Sequence, residues 1–443
     1  MLLEQITNHA WFNRRVAEYY RWYPKSLALF NPTSFELNKS NIKGIYIHIP
    51  YCDKICRFCP YNKLKSSPSD FDDYVYSLLK ELELYRETGN ISDLKYIYFG
   101  GGTPSVLTIA QVSSILERIN IQYGISATTE ITFEAHPTHL NKDYIVSLKK
   151  AGVTRISTGI QSFDGNRLKV IGATHTEEDS LSACHALSDN IENYGIDLLY
   201  RCQGQSLKDW ELELIKCLEF SNIKHISCYT LYLPDSKLQP TPEEDAAMAA
   251  LAYEYLREHE FNHYASCATG GFDFAKAGYE GIYEERHWAA PQEEYLGIGA
   301  GAFGFVKNFV TINHHDLKHY ASLISTGNLP ILSACKTSSQ EEKHRYFVLG
   351  VKTMAVDLAK YSERFLSDPM IDFEYEFALL REFGLAEIYE NKLKLTDVGR
   401  FYVDQISEVF WSSTQKDIEH PETNALAKME RLTLSRNNLI NTL

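Results

Sequence analysis

The chain has 443 residues, 44% hydrophobic and 13% aromatic, enough for two or three domains with a sizeable core. A net charge of −14 argues against a general nucleic-acid-binding surface. No run of about 18 apolar residues points to a membrane span and no charged-then-apolar leader to export, and the nine cysteines are odd in number, so a cytoplasmic protein in a reducing compartment is expected.

Residues 1–43 are rich in aromatics ("AEYYRWYPKSLALF") and read as an N-terminal arm. From residue 44, short β-rich runs alternate with amphipathic helical stretches. The expected strands are 44–49, 95–100, 130–135, 155–160, 194–200 and 225–232, with helices such as "DFDDYVYSLLKELELYRETG" and "TIAQVSSILERI" between them. This alternation predicts an α/β fold, an incomplete (β/α)6 TIM-type barrel, in which active-site residues gather at the C-terminal strand ends. The barrel and an extension are assigned to 44–330, the extension holding the glycine run "YLGIGAGAFGF". Helix, short hairpin, helix in "EYEFALLREFGLAEIYENKLKLTDVGRFYVDQISEVF" predicts a winged-helix-like domain at 331–415, followed by a polar tail at 416–443.

The chemistry-bearing residues fall after the strands. Cys52, Cys56 and Cys59 follow the first, in C-x3-C-x2-C spacing. Three thiolates can hold a four-iron cluster and leave one iron open; the same spacing also suits buried structural cysteines or part of a zinc site. "GGGTPS" follows the second strand and offers backbone N–H groups to a ligand. Glu134 ends the third strand, and Gln161 and Ser162 end the fourth. Asp197 stands inside the apolar fifth strand, where an unpaired carboxylate is costly.

In this order "YIHIPYCDKICRFCPYNK", "YFGGGTPS", "ISTGIQSF", "GIDLLY" and "YLGIGAGAFG" resemble the radical SAM superfamily, in the branch of oxygen-independent coproporphyrinogen III oxidase. That branch also holds a heme chaperone, an anaerobic heme-degrading enzyme, and class C methyltransferases and cyclopropanases. The resemblance implies a [4Fe-4S] cluster on Cys52, Cys56 and Cys59, with S-adenosylmethionine (SAM) on the open iron as the source of a 5′-deoxyadenosyl radical. By position, Tyr46, Gly101 and Glu134 match contacts to that SAM. Phe58, Gly102, Thr103, Gln161 and Asp197 match contacts to a second SAM. An electron donor such as flavodoxin or ferredoxin is implied, and neither nucleic acid nor membrane.

Three departures bear on the substrate. The fourth cysteine of the coproporphyrinogen oxidase pattern is Tyr61 here, and its arginine after the matching glutamine is Ala173. Arg167, His175 and, in "RCQGQS", Arg201 are candidates to replace that arginine on a second SAM carboxylate. Of the heme chaperone's H-N-x-x-Y-W pattern only Trp288 remains, with His287 before it. The expected function is therefore a class C-like enzyme, whose second SAM donates carbon to an sp2 centre of a small-molecule substrate. Tetrapyrrole oxidation, heme opening and heme carriage stand as alternatives. Tyr61, Glu134, His136 and His175 are the candidate acid–base residues.

Overall fold

Alternation along a strand sends successive side chains to opposite faces, and the six expected strands use it to separate two environments. In the computed structural model they are β1 (Ile42–Ile49), β2 (Ile91–Gly101), β3 (Glu130–Ala135), β4 (Arg155–Gln161), β5 (Tyr194–Tyr200) and β6 (Ile223–Thr230). The structure describes residues 2–12, 23, 28–29, 41–59, 63–65, 70–86, 91–231, 241–266, 271–288 and 293–416. Tyr61, Cys267, most of the arm and almost all of the expected tail lie outside these residues.

The six strands pair in parallel and in chain order. Ile45, Ile47 and Ile49 of β1 are fully buried. The alternate positions carry Tyr46 and His48, then Tyr96 and Tyr98 on β2, Glu130, Thr132 and Glu134 on β3, Arg155 on β4 and Asp197 on β5. One face of the sheet is thus aliphatic and the other is polar and aromatic.

The crossover helices are α1 (Asp70–Arg86), α2 (Ile109–Tyr123), α3 (Lys142–Ala151), α4 (Gly165–Ile171), α5 (Glu177–Asn190) and α6 (Leu207–Leu218). Their starts are written in the sequence. Thr108 with Gln111, Thr176 with Asp179 and Ser206 with Asp209 form capping boxes, and Asn141 and Asp164 cap α3 and α4. A seventh, α7 (Pro242–Glu258), opens with the Thr241–Glu244 box.

Beyond β6 the sheet continues antiparallel through β7 (Phe261–Ala265) and β8 (Phe272–Lys276), with β8 next to β6. A short helix, α8 (Ile282–Trp288), follows. β9 (Glu294–Ile298) returns to pair in parallel with β1, and β10 (Phe303–Val306), β11 (Phe309–Asn313) and β12 (Ile331–Lys336) add an antiparallel flank. Among the described residues the sheet has thirteen strands and stays open, so the α/β incomplete barrel stands as expected.

The glycine run after β9 is tied down by one buried acid. Glu81 of α1 accepts hydrogen bonds from Gly299 N–H (2.7 Å), Asn313 Nδ2 (2.7 Å) and the Tyr320 hydroxyl (2.5 Å). Burial pushes its carboxyl up to about 7 in spite of these three donors. Glu81→Gln sets an amide N–H against this donor shell. It is expected to lower stability by about 1–3 kcal/mol in chemical denaturation, and an unchanged midpoint would refute the donor count.

After the helix Ser339–Gly350, the segment 355–395 forms a three-stranded sheet in which Lys392–Leu395 lies between Ala355–Asp357 and Ala386–Tyr389, flanked by helices Leu358–Phe365 and Glu374–Glu382. These elements lie within the 331–415 segment for which a winged-helix-like domain is expected. The described parts of the N-terminal stretch reach it: Tyr402 donates to the Ile6 carbonyl (2.7 Å), and Ser412 N–H to the Tyr23 hydroxyl (2.9 Å). Among the described residues no helix is long and apolar enough to cross a membrane.

Candidate functional site

The cysteine loop sits where β1, β2 and β4 end. Gly102 N–H donates to the Ile49 carbonyl (2.7 Å), so the end of β2 lies directly against the start of the loop. A Cβ on Gly102 would come within 2.7 Å of the Tyr51 carbonyl oxygen. Gly101 has φ +114°, and a Cβ there would strike the His48 ring at 2.7 Å. These two glycines are required by close approach and by backbone conformation. On the other side, Arg57 N–H donates to the Gly172 carbonyl (3.4 Å), docking the loop on the turn after α4.

Cys52, Cys56 and Cys59 are not joined in disulfides. Cys52 is buried, and desolvation pushes its thiol up to about 11 while a hydrogen bond from Thr103 pulls it down. Thr103 Oγ1 donates to Cys52 Sγ at 3.3 Å, and Thr174 Oγ1 lies 3.5 Å from Cys56 Sγ. Among the described residues no three His, Cys, Asp or Glu side chains converge tightly enough to share a single metal ion. A four-iron cluster takes each thiolate on a different iron and does not ask for that convergence. Three cysteines on one loop, two of them met by threonine hydroxyls, fit such a cluster.

Beneath the loop, Tyr46 packs against Tyr98 and Tyr283, with ring centres 6.0 and 5.8 Å away, and its hydroxyl lies 3.0 Å from His48 Nδ1. The Tyr98 hydroxyl donates to Glu134 Oε1 at 2.7 Å. Burial pushes the Glu134 carboxyl up to about 7, against the lowering effect of Tyr98 and of Gly101 N–H. Asp197 is pushed well above the ordinary carboxylate range, first by burial and then by the charges of Glu134 and Asp273. Opposite these acids stands a single buried guanidinium. Arg155, 1% exposed, reaches both oxygens of Glu284 at 3.4 and 3.3 Å. α8 enters this polar interior: Ile282 N–H donates to Glu130 Oε1 (3.0 Å), and Tyr283 stacks beside Tyr98 at 4.1 Å.

Gln161 closes β4 with φ 65°, and Ser162 N–H donates to the Ile160 carbonyl (2.7 Å) across it. This tight three-residue turn is sparsely populated by non-glycine residues and stores strain at the strand end. His136 and His175 stand side by side, ring centres 5.4 Å apart. Burial lowers the pKa of both, that of His136 to about 4, so both imidazoles are neutral at pH 7.

Phe58 stands in the cysteine loop, between Cys56 and Cys59. It packs with Ala173 and Tyr229 on an apolar cluster of Leu168, Ile171, Leu199, Cys202 and Leu231. The two arginines considered as replacements for a cation at Ala173 are committed elsewhere. Arg167 faces Glu213 (3.2 Å), Asp164 (3.5 Å) and Asp209 (3.8 Å), and Arg201, at φ 63°, faces Asp245 (3.4 Å). Tyr61 falls outside the described residues. His48, Tyr98, Arg155 and Glu284 had not been singled out, although strand parity with Tyr46 and Glu134 places the first three on the same face.

Known proteins supply the context. Residues 46–212 match the model of the radical SAM superfamily. The heme chaperone HemW of Bacillus subtilis is 29% identical over 384 residues, covering 83% of this chain and 99% of its own length. HemW of Lactococcus lactis is 30% identical over 379 residues, covering 83% and 94%. The structure of coproporphyrinogen III oxidase (HemN) from Escherichia coli superposes with a TM-score of 0.75 at 21% identity, covering 88% of this chain and 96% of that one, and shares the fold. Similarity along 94–99% of the length of proteins named heme chaperones overturns the expected methylation or cyclopropanation of a secondary metabolite. With its fold and its cysteine loop, the chain belongs to the radical SAM superfamily, in the HemN/HemW-like branch, whose cofactors are a [4Fe-4S] cluster and S-adenosylmethionine.

Proposed function

We propose that this protein carries heme, and that Cys52, Cys56 and Cys59 would hold the [4Fe-4S] cluster beside which SAM would bind. The observation that carries the reading is the similarity to HemW over 83% of this chain and 94–99% of the relatives. When bound, the cluster supplies one electron from a flavodoxin or ferredoxin to SAM. The chain's own residues bind and orient. Tyr46, Gly101 and Glu134 form the wall beside that SAM, and Glu134, raised to about 7, takes up or releases a proton near neutrality. Gly102, Thr103, Gln161 and Asp197 form the wall beyond it, and the apolar surface around Phe58 and Ala173 suits a flat hydrophobic macrocycle better than a second carboxylate. His136 and His175, neutral at pH 7, are bases rather than acids in any proton transfer there.

His287, at the end of α8, is the residue we assign to heme iron, since neutral imidazole is a common iron ligand. Titrating the cluster-loaded protein with hemin is expected to give a Soret shift that saturates at one equivalent. In His287→Ala the shift is expected to weaken at least tenfold in affinity. A titration that never saturates, together with substrate-dependent 5′-deoxyadenosine formation, would overturn heme carriage in favour of an enzyme on another substrate.

A further inference from the structure

Two histidines, His136 and His139, stand in the loop that follows β3, and His136 reaches the cysteine loop through a chain of hydrogen bonds. His136 Nδ1 accepts from the backbone N–H of Thr138 (3.4 Å). Thr138 Oγ1 also lies 2.8 Å from Nδ1. A cluster-bound Cys56 thiolate can only accept, so Thr174 gives it its one hydroxyl hydrogen and its oxygen must accept from His136 Nε2–H, which leaves Nδ1 as the acceptor from Thr138. His136 Nε2 lies 3.0 Å from Thr174 Oγ1 and donates to it. With its oxygen so occupied, the Thr174 hydroxyl hydrogen is free to point at Cys56 Sγ, 3.5 Å away. The polarity runs one way, from backbone amide to imidazole to hydroxyl to sulfur.

The support is rigid. His136 N–H donates to Ser105 Oγ (2.9 Å), which also contacts His139 Nδ1 (2.8 Å). His139 Nε2 in turn meets Asp53 (3.0 Å), the residue after Cys52. Two neighbouring histidines thus hold the cysteine loop at two points. Cys52 also receives a threonine hydroxyl, from Thr103.

We infer that His136 is a positioning residue that sets the reduction potential of the cluster by holding Thr174 as a hydrogen-bond donor to Cys56. A reduced cluster carries one more negative charge than an oxidised one. A donor aimed at its thiolate therefore stabilises the reduced form more and raises the potential. A donor whose oxygen is itself hydrogen-bonded is a better donor, because bonds in a chain polarise one another. The inference rests on Cys56 as a cluster ligand.

The experiment is a redox titration of reconstituted full-length protein, followed by electron paramagnetic resonance, with iron and sulfide content measured on each sample. Thr174→Val removes the donor and is expected to lower the equilibrium constant for one-electron reduction about tenfold, a fall of about 59 mV. His136→Phe is expected to move it in the same direction by a smaller amount. Thr174→Ser restores the hydroxyl and is expected to return the wild-type value. Cluster-loaded Thr174→Val with an unmoved potential overturns the inference. So does a Thr174→Ser variant that behaves like Thr174→Val, which would make the threonine a packing residue. If His136→Phe fails to take up a cluster, the valine and serine pair still decides. Wild-type protein that binds no cluster after reconstitution would instead remove Cys56 as a ligand, a different failure.

Discussion

Cys56→Ala is expected to reduce iron and sulfide to background and to abolish 5′-deoxyadenosine formation under dithionite, while leaving the fold intact. The ligand role proposed for Cys56 carries the first half. A cluster held by three thiolates and lacking a fourth protein ligand has no spare bond, and two thiolates leave two irons without protein support. The second half follows from position. Cys56 is half-buried in a loop, with its thiol against Thr174 and no place in the hydrophobic core. Cys184→Ala is the control: that thiol is fully buried beneath α5, so its removal is expected to lower stability and leave the cluster in place. Full iron content in Cys56→Ala would end the three-cysteine assignment.

Arg155→Met is expected to destabilise the protein by about 3–5 kcal/mol at pH 8, because removing one partner of a buried ion pair strands the other. Arg155 faces Glu284 and lies close enough to Glu130, Glu134 and Asp197 to lower each of their carboxyls. With the guanidinium gone, those acids share a buried interior with no opposing charge. The loss is expected to shrink on acidification. Burial raises the folded-state pKa of Glu130 and Asp197, and that of Glu134 to about 7, above their unfolded values. The folded protein therefore binds more protons than the unfolded chain across the window from the ordinary carboxyl range up to about 7. Stability contributed by these groups falls as pH rises through that window, and more steeply without Arg155. Denaturation midpoints of wild type and variant at pH 5 and pH 8 test this. An equal loss at both values would show that Arg155 acts through packing alone.

Much of the architecture was legible because it depends on local chemistry. β3 and β5 occupy the residues that their β-branched and aromatic runs indicate, and the capping boxes at Thr108, Thr176 and Ser206 mark where helices begin. The cysteine spacing and the glycines after β2 were legible for the same reason, since each is a short stretch with one conformational demand. What stayed hidden required partners distant in sequence. Arg155 looks like an ordinary strand residue until Glu284, 129 positions later, is brought beside it. Arg167 and Arg201 looked available for an anion until Glu213 and Asp245 claimed them. The choice between carbon transfer and heme carriage was not legible at all. The arginine absent at Ala173 left it open, because a missing side chain does not name its successor.

The pairing of β1 with β9 has a consequence in time. Tyr46 is in register with Gly297, and Ile47 with Ile298, so β1 takes its second neighbour from a part of the chain made long after the cysteines. At ribosomal speeds of about 5–20 residues per second, roughly 10–50 s separate the emergence of Cys59 from that of Ile298. Throughout that interval β1 is a bare sheet edge, with the cysteine loop hanging from it. A cluster inserted before β9 docks would enter an unfinished sheet, and the three thiols stand beside that open edge until then. Pulse-labelling of nascent chains with a thiol reagent is expected to protect Cys52 only once β9 has cleared the ribosome.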